Sequence, residues 1–258
     1  MKTVQAIRYV TPLREGGSLP AVVEADDGEL YVVKFLGAGQ GPKALVAELV
    51  VGELARGCGL HVPEIVLVEL DAVFGRNEPD PEIRDLLRAS NGTNLGLAYL
   101  PGSIAYDPIA PPEVDALTAS RIVWLDAFTT NVDRSPRNPN LLLWEGDLWL
   151  IDHGAALYFH HAWSTRAAHA AGRFPQVRDH VLLGRAARLP EADAELRPRV
   201  RALLEQGLLG NVPDAWLPPA EGAAGAAGVR ALYAEWFAAR LEATDFLEEA
   251  AHARSAHV

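Results

Sequence analysis

The apolar pattern of this chain changes character once, near Tyr106, and that change limits the folds open to it more than any other feature. Before it, apolar residues come in short runs broken by turn residues. Ala21-Val22-Val23-Glu24 and Leu30-Tyr31-Val32-Val33-Lys34-Phe35 flank Asp26-Asp27-Gly28, and an Asp-Gly pair between β-branched runs is a strong hairpin signal. Val62 to Leu70 reads as a strand with Pro63 near its start, and Leu95 to Leu100 as another, ended by Pro101-Gly102. One helix interrupts them. After Gly37-Ala38-Gly39-Gln40-Gly41, Pro42 stands where a first helical turn tolerates it. Leu45, Leu49, Val50 and Leu54 then recur at helical spacing up to Gly57.

Beyond Tyr106 the residues Pro108, Pro111 and Pro112 read as a connector. A helix is predicted from about Glu113 to Phe128. A polar, turn-rich stretch, Thr129 to Pro139, precedes a second hairpin, Leu141-Leu142-Leu143-Trp144 and Leu148-Trp149-Leu150-Ile151 around Glu145-Gly146-Asp147. The rest reads as helical with breaks at Pro175, Pro190 and Pro213. An Ala/Gly-rich flexible connection, Glu221 to Gly228, then leads to a single amphipathic helix from Val229 to about Ala251. No internal repeat is found. A strand-rich first part followed by a helix-rich second part predicts an α+β fold of two lobes, divided as 1–102 and 103–258.

The 258 residues suffice for a sizeable core. The formal net charge of -11 argues against bulk binding of nucleic acid or an anionic membrane. Cys58 is the sole cysteine, so no intramolecular disulfide framework exists, and it reads as a small buried hydrophobe. No apolar run reaches the roughly 18 residues of a membrane span, and the opening Met1-Lys2-Thr3-Val4-Gln5 lacks the apolar core of a signal peptide. The expectation is a cytoplasmic protein.

The chemistry concentrates in Asn131-Val132-Asp133-Arg134-Ser135-Pro136-Arg137-Asn138-Pro139-Asn140, the hairpin that follows, and Asp152-His153-Gly154. A hairpin brings its two ends together, so Asn138 or Asn140 is expected near Asp152. Carboxylate and amide oxygens are hard ligands suited to Mg²⁺, which keeps several waters and takes further ligands from phosphates. Asp133, set slightly apart, is placed to accept a proton from an attacking hydroxyl. That is the division of labour phosphoryl transfer requires. Singly, each of these residues is an ordinary turn former; the weight lies in their joint spacing. Asp126 either braces the loop or ends its helix.

Asp133-Arg134-x-x-x-Asn138, a strand pair, and Ile151-Asp152-His153-Gly154 resemble the catalytic loop and metal-binding motif of the kinase superfamily. The Asp-Arg-x-x-x-Asn form is closest to phosphoinositide kinases and to HipA-like kinases, and the chain most resembles the latter over residues 15 to 160. The resemblance implies a protein-kinase-like fold with a small sheet-rich N-lobe and a larger, mostly helical C-lobe. It implies ATP and Mg²⁺ as cofactors and phosphoryl transfer to a hydroxyl, with protein Ser/Thr favoured as acceptor and a small-molecule hydroxyl or an inositol lipid left open. Lys34, late in its strand, resembles the lysine that holds the α/β-phosphates, and Glu48 on the next helix the glutamate paired with it, although Glu53 lies on the same helix. Gly16-Gly17-Ser18 resembles a phosphate-covering loop. Leu97-Ala98-Tyr99-Leu100-Pro101-Gly102 resembles the hinge, with Ala98, Tyr99 and Leu100 offering backbone groups to adenine. The metal ligands implied are Asp152 and Asn138, which has the family's offset from Asp133; Asn140, which directly precedes the strand, also stands.

The departures are specific. His153 replaces the usual Phe, Ser135 stands where the family often has His, and the loop before the first hairpin lacks the Gly-x-Gly-x-x-Gly pattern. They leave room for a nucleotide-binding pseudokinase or regulatory scaffold. A third reading, an NAD(P)-linked oxidoreductase, takes Gly37-Ala38-Gly39-Gln40-Gly41-Pro42 as a dinucleotide fingerprint. Against it, Pro42 occupies the position of the third glycine, and Lys34 interrupts what would be a buried parallel strand. Lys43 is followed by Ala44, so the Walker-A pattern is not met. His153, His160, His161 and His169 read as surface or packing histidines, since no Cys or His-Glu-x-x-His accompanies them.

Overall fold

The computed structural model describes residues 1–13, 19–39, 41–76 and 78–256. Five strands form a closed barrel: β1 (Thr3–Pro12), β2 (Ala21–Ala25), β3 (Leu30–Lys34), β4 (Ile65–Leu70) and β5 (Gly92–Ala98), in the spatial order β1-β2-β3-β5-β4. The hairpin β2–β3 is antiparallel with Val22 opposite Val32, and β3 continues antiparallel onto β5 with Lys34 opposite Leu95. The barrel closes where Thr3, Val4 and Gln5 of β1 run parallel to Leu67, Val68 and Glu69 of β4. Strand alternation sends Tyr31, Val33 and Phe35 into a small core with Val23, Val66 and Val68, which Ile83 and Leu87 of α2 (Pro81–Ala89) cover. Val32 and Lys34 therefore share the other face, and Val32 packs against the larger core.

α1 (Gly41–Gly57) is buried almost all round, from Leu45 to Gly52 and at Leu54 and Ala55, as a helix enclosed by neighbours on every side must be. Its side chains belong to the larger core together with Leu95 and Leu97 of β5 and the helical remainder of the chain. β6 (Ile104–Ala105), β7 (Leu141–Trp144) and β8 (Asp147–Leu150) form a three-stranded sheet. The β7–β8 turn holds Glu145 and Gly146 at φ 52° and 91°, the two left-handed positions of a type I′ hairpin. α3 (Ala116–Thr129) starts at Asp115, whose side chain accepts from the Leu117 and Thr118 N–H groups. It runs through the larger core, where Trp124 and Phe128 stack at 4.9 Å. α4 (Arg166–Ala171), α5 (Leu189–Glu205), α6 (Gly225–Glu242) and α7 (Asp245–Ser255) complete the chain.

Several expectations change. The first 102 residues hold two helices rather than one, and β1 adds a strand that the pattern did not signal. Pro190 opens α5 instead of breaking it, because a first-turn proline forfeits no helical hydrogen bond. α6 begins at Gly225, inside the segment read as flexible, and the single terminal helix is two, separated at Ala243 and Thr244. The dinucleotide reading fails on topology, since β3 has antiparallel neighbours on both sides. Gly37 serves packing instead: a Cβ there would lie 2.7 Å from that of Ala89, and its N–H donates to Ser90 Oγ.

Candidate active site

Lys34 leaves the outer face of β3 toward α1. Its Nζ donates to Glu48 Oε2 at 2.7 Å and to Asp152 Oδ1 at 2.5 Å, joining barrel, helix and the residue just past the second hairpin. Glu48 is fully buried, whereas Glu53 pairs with Arg56 at 2.7 Å, so the partner of Lys34 is Glu48. Burial works against a charged Lys34, yet the two carboxylates outweigh it and its pKa is raised. Burial also raises the pKa of Glu48 despite the lysine. At Asp152 the balance reverses, and the ammonium holds the carboxyl below its ordinary value in spite of burial. Glu48 Oε1 is buried without a hydrogen-bond partner among the described residues. Asp152 keeps 46% of its side chain exposed.

The loop between α3 and β7 carries the other candidates. Asn131 Oδ1 accepts from the Asp133 N–H at 3.1 Å, and Asn138 Nδ2 donates to Asp133 Oδ2 at 2.8 Å. Asn140 Nδ2 donates to the Asp133 carbonyl at 3.2 Å, and the Asn140 carbonyl accepts from Ile151 N–H at 3.1 Å. Both asparagines thus gather on Asp133. Asn140 is also tied across the ladder to the residue before Asp152, and its Oδ1 accepts no hydrogen bond among the described residues. Thr130, Asn140, Asp152 and Leu157 all adopt φ between 50° and 56°. Left-handed backbone at non-glycine residues is uncommon and collects at functional sites.

A cleft of about 590 Å³ opens beside this cluster. Val32, Leu97, Leu142 and Ile151 give it apolar walls, Lys34 and Asp152 line it too, and Ala98, Tyr99 and Leu100 run along it. The Ala98 and Tyr99 N–H groups are taken by the carbonyls of Glu64 (2.8 Å) and Leu30 (2.9 Å). The Leu100 N–H has no acceptor among the described residues. Gly16, Gly17 and Ser18 lie outside the described residues, but Leu13 and Pro20 on either side of them line the cleft. A depression of similar size, about 610 Å³, between β1 and residues 71–78 contains none of the candidate residues.

Sequence reasoning left Asp126 between bracing the loop and ending its helix, and did not bring Arg134 and His180 to it. Asp126, fully buried on α3, accepts from Arg134 Nε at 2.5 Å, from His180 Nε2 at 2.9 Å and from Asn131 Nδ2 at 2.9 Å; Arg134 and His180 hold its pKa far below the ordinary range even though burial opposes them. Asp126 therefore braces the loop. His153 is buried, and burial, aided by Arg134, pushes its pKa down to about 3. Gly52 in α1 makes room nearby: a Cβ there would stand 2.5 Å from Ile65 Cδ1 and 3.8 Å from His153 Cδ2. An isolated glycine inside a strong helical pattern was the available signal; nothing in the pattern pointed to His180. His160 is a packing histidine bonded to Tyr233 Oη at 2.9 Å, and the described residues hold no His, Cys, Asp and Glu group of three or more that could bind a metal. Cys58 is buried and its thiol is pushed up to about 11, in keeping with a packing role. No described helix is long and apolar enough to cross a membrane.

No curated protein matches this chain in sequence. Among solved structures, the Helicobacter pylori proinflammatory kinase CtkA superposes with a TM-score of 0.61 at 13% identity, covering 99% of each chain. The Golgi casein kinase with Mn and ADP bound gives 0.48 at 12% identity, over 93% of this chain and 72% of that one. The first of these likenesses shows a kinase-like fold. The model of the HipA-like kinase family matches residues 6–227, and over that span this chain belongs to the HipA-like kinase family.

Proposed function

We propose that this protein is an ATP- and Mg²⁺-dependent phosphotransferase of two lobes, 1–102 and 103–258, acting on a hydroxyl of a protein Ser or Thr. The observation that carries the reading is the convergence of Lys34, Glu48 and Asp152 at one end of an apolar-walled cleft, with Asp133 and Asn140 joined to the same ladder.

The residues present fit both groups. The apolar walls suit a flat base, and the Leu100 N–H is an unused donor beside them. Ala98 and Tyr99 have only their carbonyls to offer, as their N–H groups are engaged. Lys34 is held cationic for the α/β-phosphates, and Glu48 keeps it in place. The half-exposed carboxylate of Asp152 and an asparagine amide oxygen are the hard ligands Mg²⁺ takes. Asn140 is the better second ligand, because its backbone carbonyl is tied to Ile151, the residue before Asp152, whereas both asparagines turn their Nδ2 onto Asp133. When bound, the metal would supply positive charge to the phosphates. Asp133, oriented by Asn131 and Asn138, would align the acceptor hydroxyl and take its proton. Gly16, Gly17 and Ser18 are assigned to the loop over the phosphates.

The test is transfer from γ-labelled ATP, with Mg²⁺, to the chain itself and to a dephosphorylated protein mixture. Activity that survives in both Asp133→Ala and Asp152→Ala would refute the assignment. Thermal stabilisation by ATP without any turnover would favour the pseudokinase reading.

A further inference from the structure

We propose that Arg134 and His153 form a positioning pair that sets Asn140 and Asp152 relative to Asp133. The inference rests on the phosphotransferase reading and adds residues that make no contact with nucleotide or acceptor.

The Arg134 side chain is wholly buried and uses all three guanidinium nitrogens. Nε donates to Asp126 Oδ2 at 2.5 Å, one terminal nitrogen donates to the carbonyls of Asn140 and, at 3.3 Å, of Ile151, and the other lies 3.3 Å from His153 Nδ1. All but the contact to Asp126 fall on or beside a candidate site residue. Arg134 follows Asp133 in the chain, touches Asn140 itself, and holds both neighbours of Asp152. A guanidinium is a rigid planar fork, so it fixes the separations among its acceptors. A lysine offers a single point charge on a flexible stem and cannot serve all four.

The charge of Arg134 dictates the chemistry of position 153. An arginine N–H can only donate, so His153 Nδ1 accepts and the ring is neutral, with its proton on Nε2, which is buried without a partner among the described residues. A phenylalanine would fill similar space and remove the unpartnered Nε2 N–H, but it would take the acceptor from Arg134 and with it the tie between the loop and the residue after Asp152. Asp126, held in turn by His180 and Asn131, balances the arginine and anchors the assembly to α3. Partners that orient metal ligands in this way commonly cost about 10- to 100-fold in metal affinity or activity when removed.

The decisive variants are Arg134→Lys, His153→Phe and His153→Asn, the last returning an acceptor oxygen close to the Nδ1 position. Each is melted alone, with ATP plus EDTA, and with ATP plus Mg²⁺, and the Mg²⁺ concentration for half-maximal turnover is measured beside kcat and KM. The pair predicts that His153→Phe and Arg134→Lys keep stabilisation by ATP plus EDTA but lose the Mg²⁺ increment. Their Mg²⁺ midpoint rises about 10- to 100-fold, and kcat falls more than KM rises. His153→Asn recovers part of both losses. A wild-type Mg²⁺ increment and midpoint in His153→Phe overturns the proposal, and that variant decides alone if Arg134→Lys does not fold. Should Asp152→Ala also keep the wild-type Mg²⁺ response, the phosphotransferase reading itself falls. Loss in Asp152→Ala with none in His153→Phe sinks only the positioning pair.

Discussion

Two buried charge clusters meet at the Asp152-His153 step, and they are composed by opposite rules. Around Lys34, one cation faces two carboxylates, Glu48 and Asp152. Glu48 leaves an oxygen without a partner and Asp152 is half exposed to the cleft. Around Arg134, one guanidinium faces one carboxylate, and every oxygen of Asp126 and every nitrogen of Arg134 is engaged. The first cluster sets two acidic groups against one cation, with Asp152 alone at the solvent-facing edge. The second pairs its two charges one to one away from solvent, with only the adjoining His153 Nε2 left without a partner among the described residues, and its contribution lies in holding geometry. A buried pair is weak support for stability in general, but removing one member of a satisfied pair strands the other.

That difference can be broken first from the closed side. Asp126→Ala leaves Arg134 charged, buried and without its counter-ion, and the expected loss is about 3–5 kcal/mol of unfolding free energy, measured by urea titration. A loss under about 1 kcal/mol, the range of exposed pairs, would show that water reaches the network and that the two clusters are not of different kinds.

Asp152→Ala should do the reverse. It leaves Lys34 and Glu48 as a one-to-one pair, so the melting temperature is expected to stay level or rise. Phosphoryl transfer is expected to fall by at least about a hundredfold, beyond the usual cost of an indirect partner. Melting and turnover on the same sample check both halves. A variant that lost both together would mark Asp152 as part of the scaffold.

The open cluster was the more legible of the two, for a physical reason. Lys34, Glu48 and Asp152 sit on or just past elements with strong local signals: an Asp-Gly hairpin, an apolar helix and a type I′ turn. Hairpins and helical spacing convert sequence distance into spatial distance. Glu48 could not be separated from Glu53 in that way, since the choice depends on which side of α1 meets β3. The preference for Asn138 followed spacing alone, and the ladder bond from Ile151 to Asn140 is a tertiary fact. The closed cluster needs His180, bonded to Asp126 across 54 residues, and no local rule spans that. β1 escaped notice because register shifts between Ala6 and Arg8 and between Tyr9 and Thr11 spoil its alternation. α2 was announced by Asp80 and Pro81, a cap and a first-turn proline, on a helix with too few apolar residues to attract attention. The split between α6 and α7 carries no Gly or Pro.

The smallest expected effect separates the clusters by the sign of their response to pH. His153 has its pKa lowered from 6.5 to about 3, chiefly by burial. Below pH 6.5 the unfolded chain takes up a proton that the folded ring refuses. Stability from this group is therefore complete above 6.5 and is lost as pH falls, at about 1.4 kcal/mol per unit. Glu48 has the opposite sign, because burial raises its pKa above 4.5; its contribution is complete below that value and is lost as pH rises through the raised one. Denaturant midpoints between pH 4.5 and 7.5 should show wild-type stability declining toward acid, with Glu48 offsetting part of the decline. His153→Phe should flatten that slope by about 1.4 kcal/mol per unit between pH 6 and 5, and Glu48→Gln should steepen it. The same slope in wild type and His153→Phe would mean that the ring already takes up its proton in the folded state, which Arg134 beside Nδ1 does not permit.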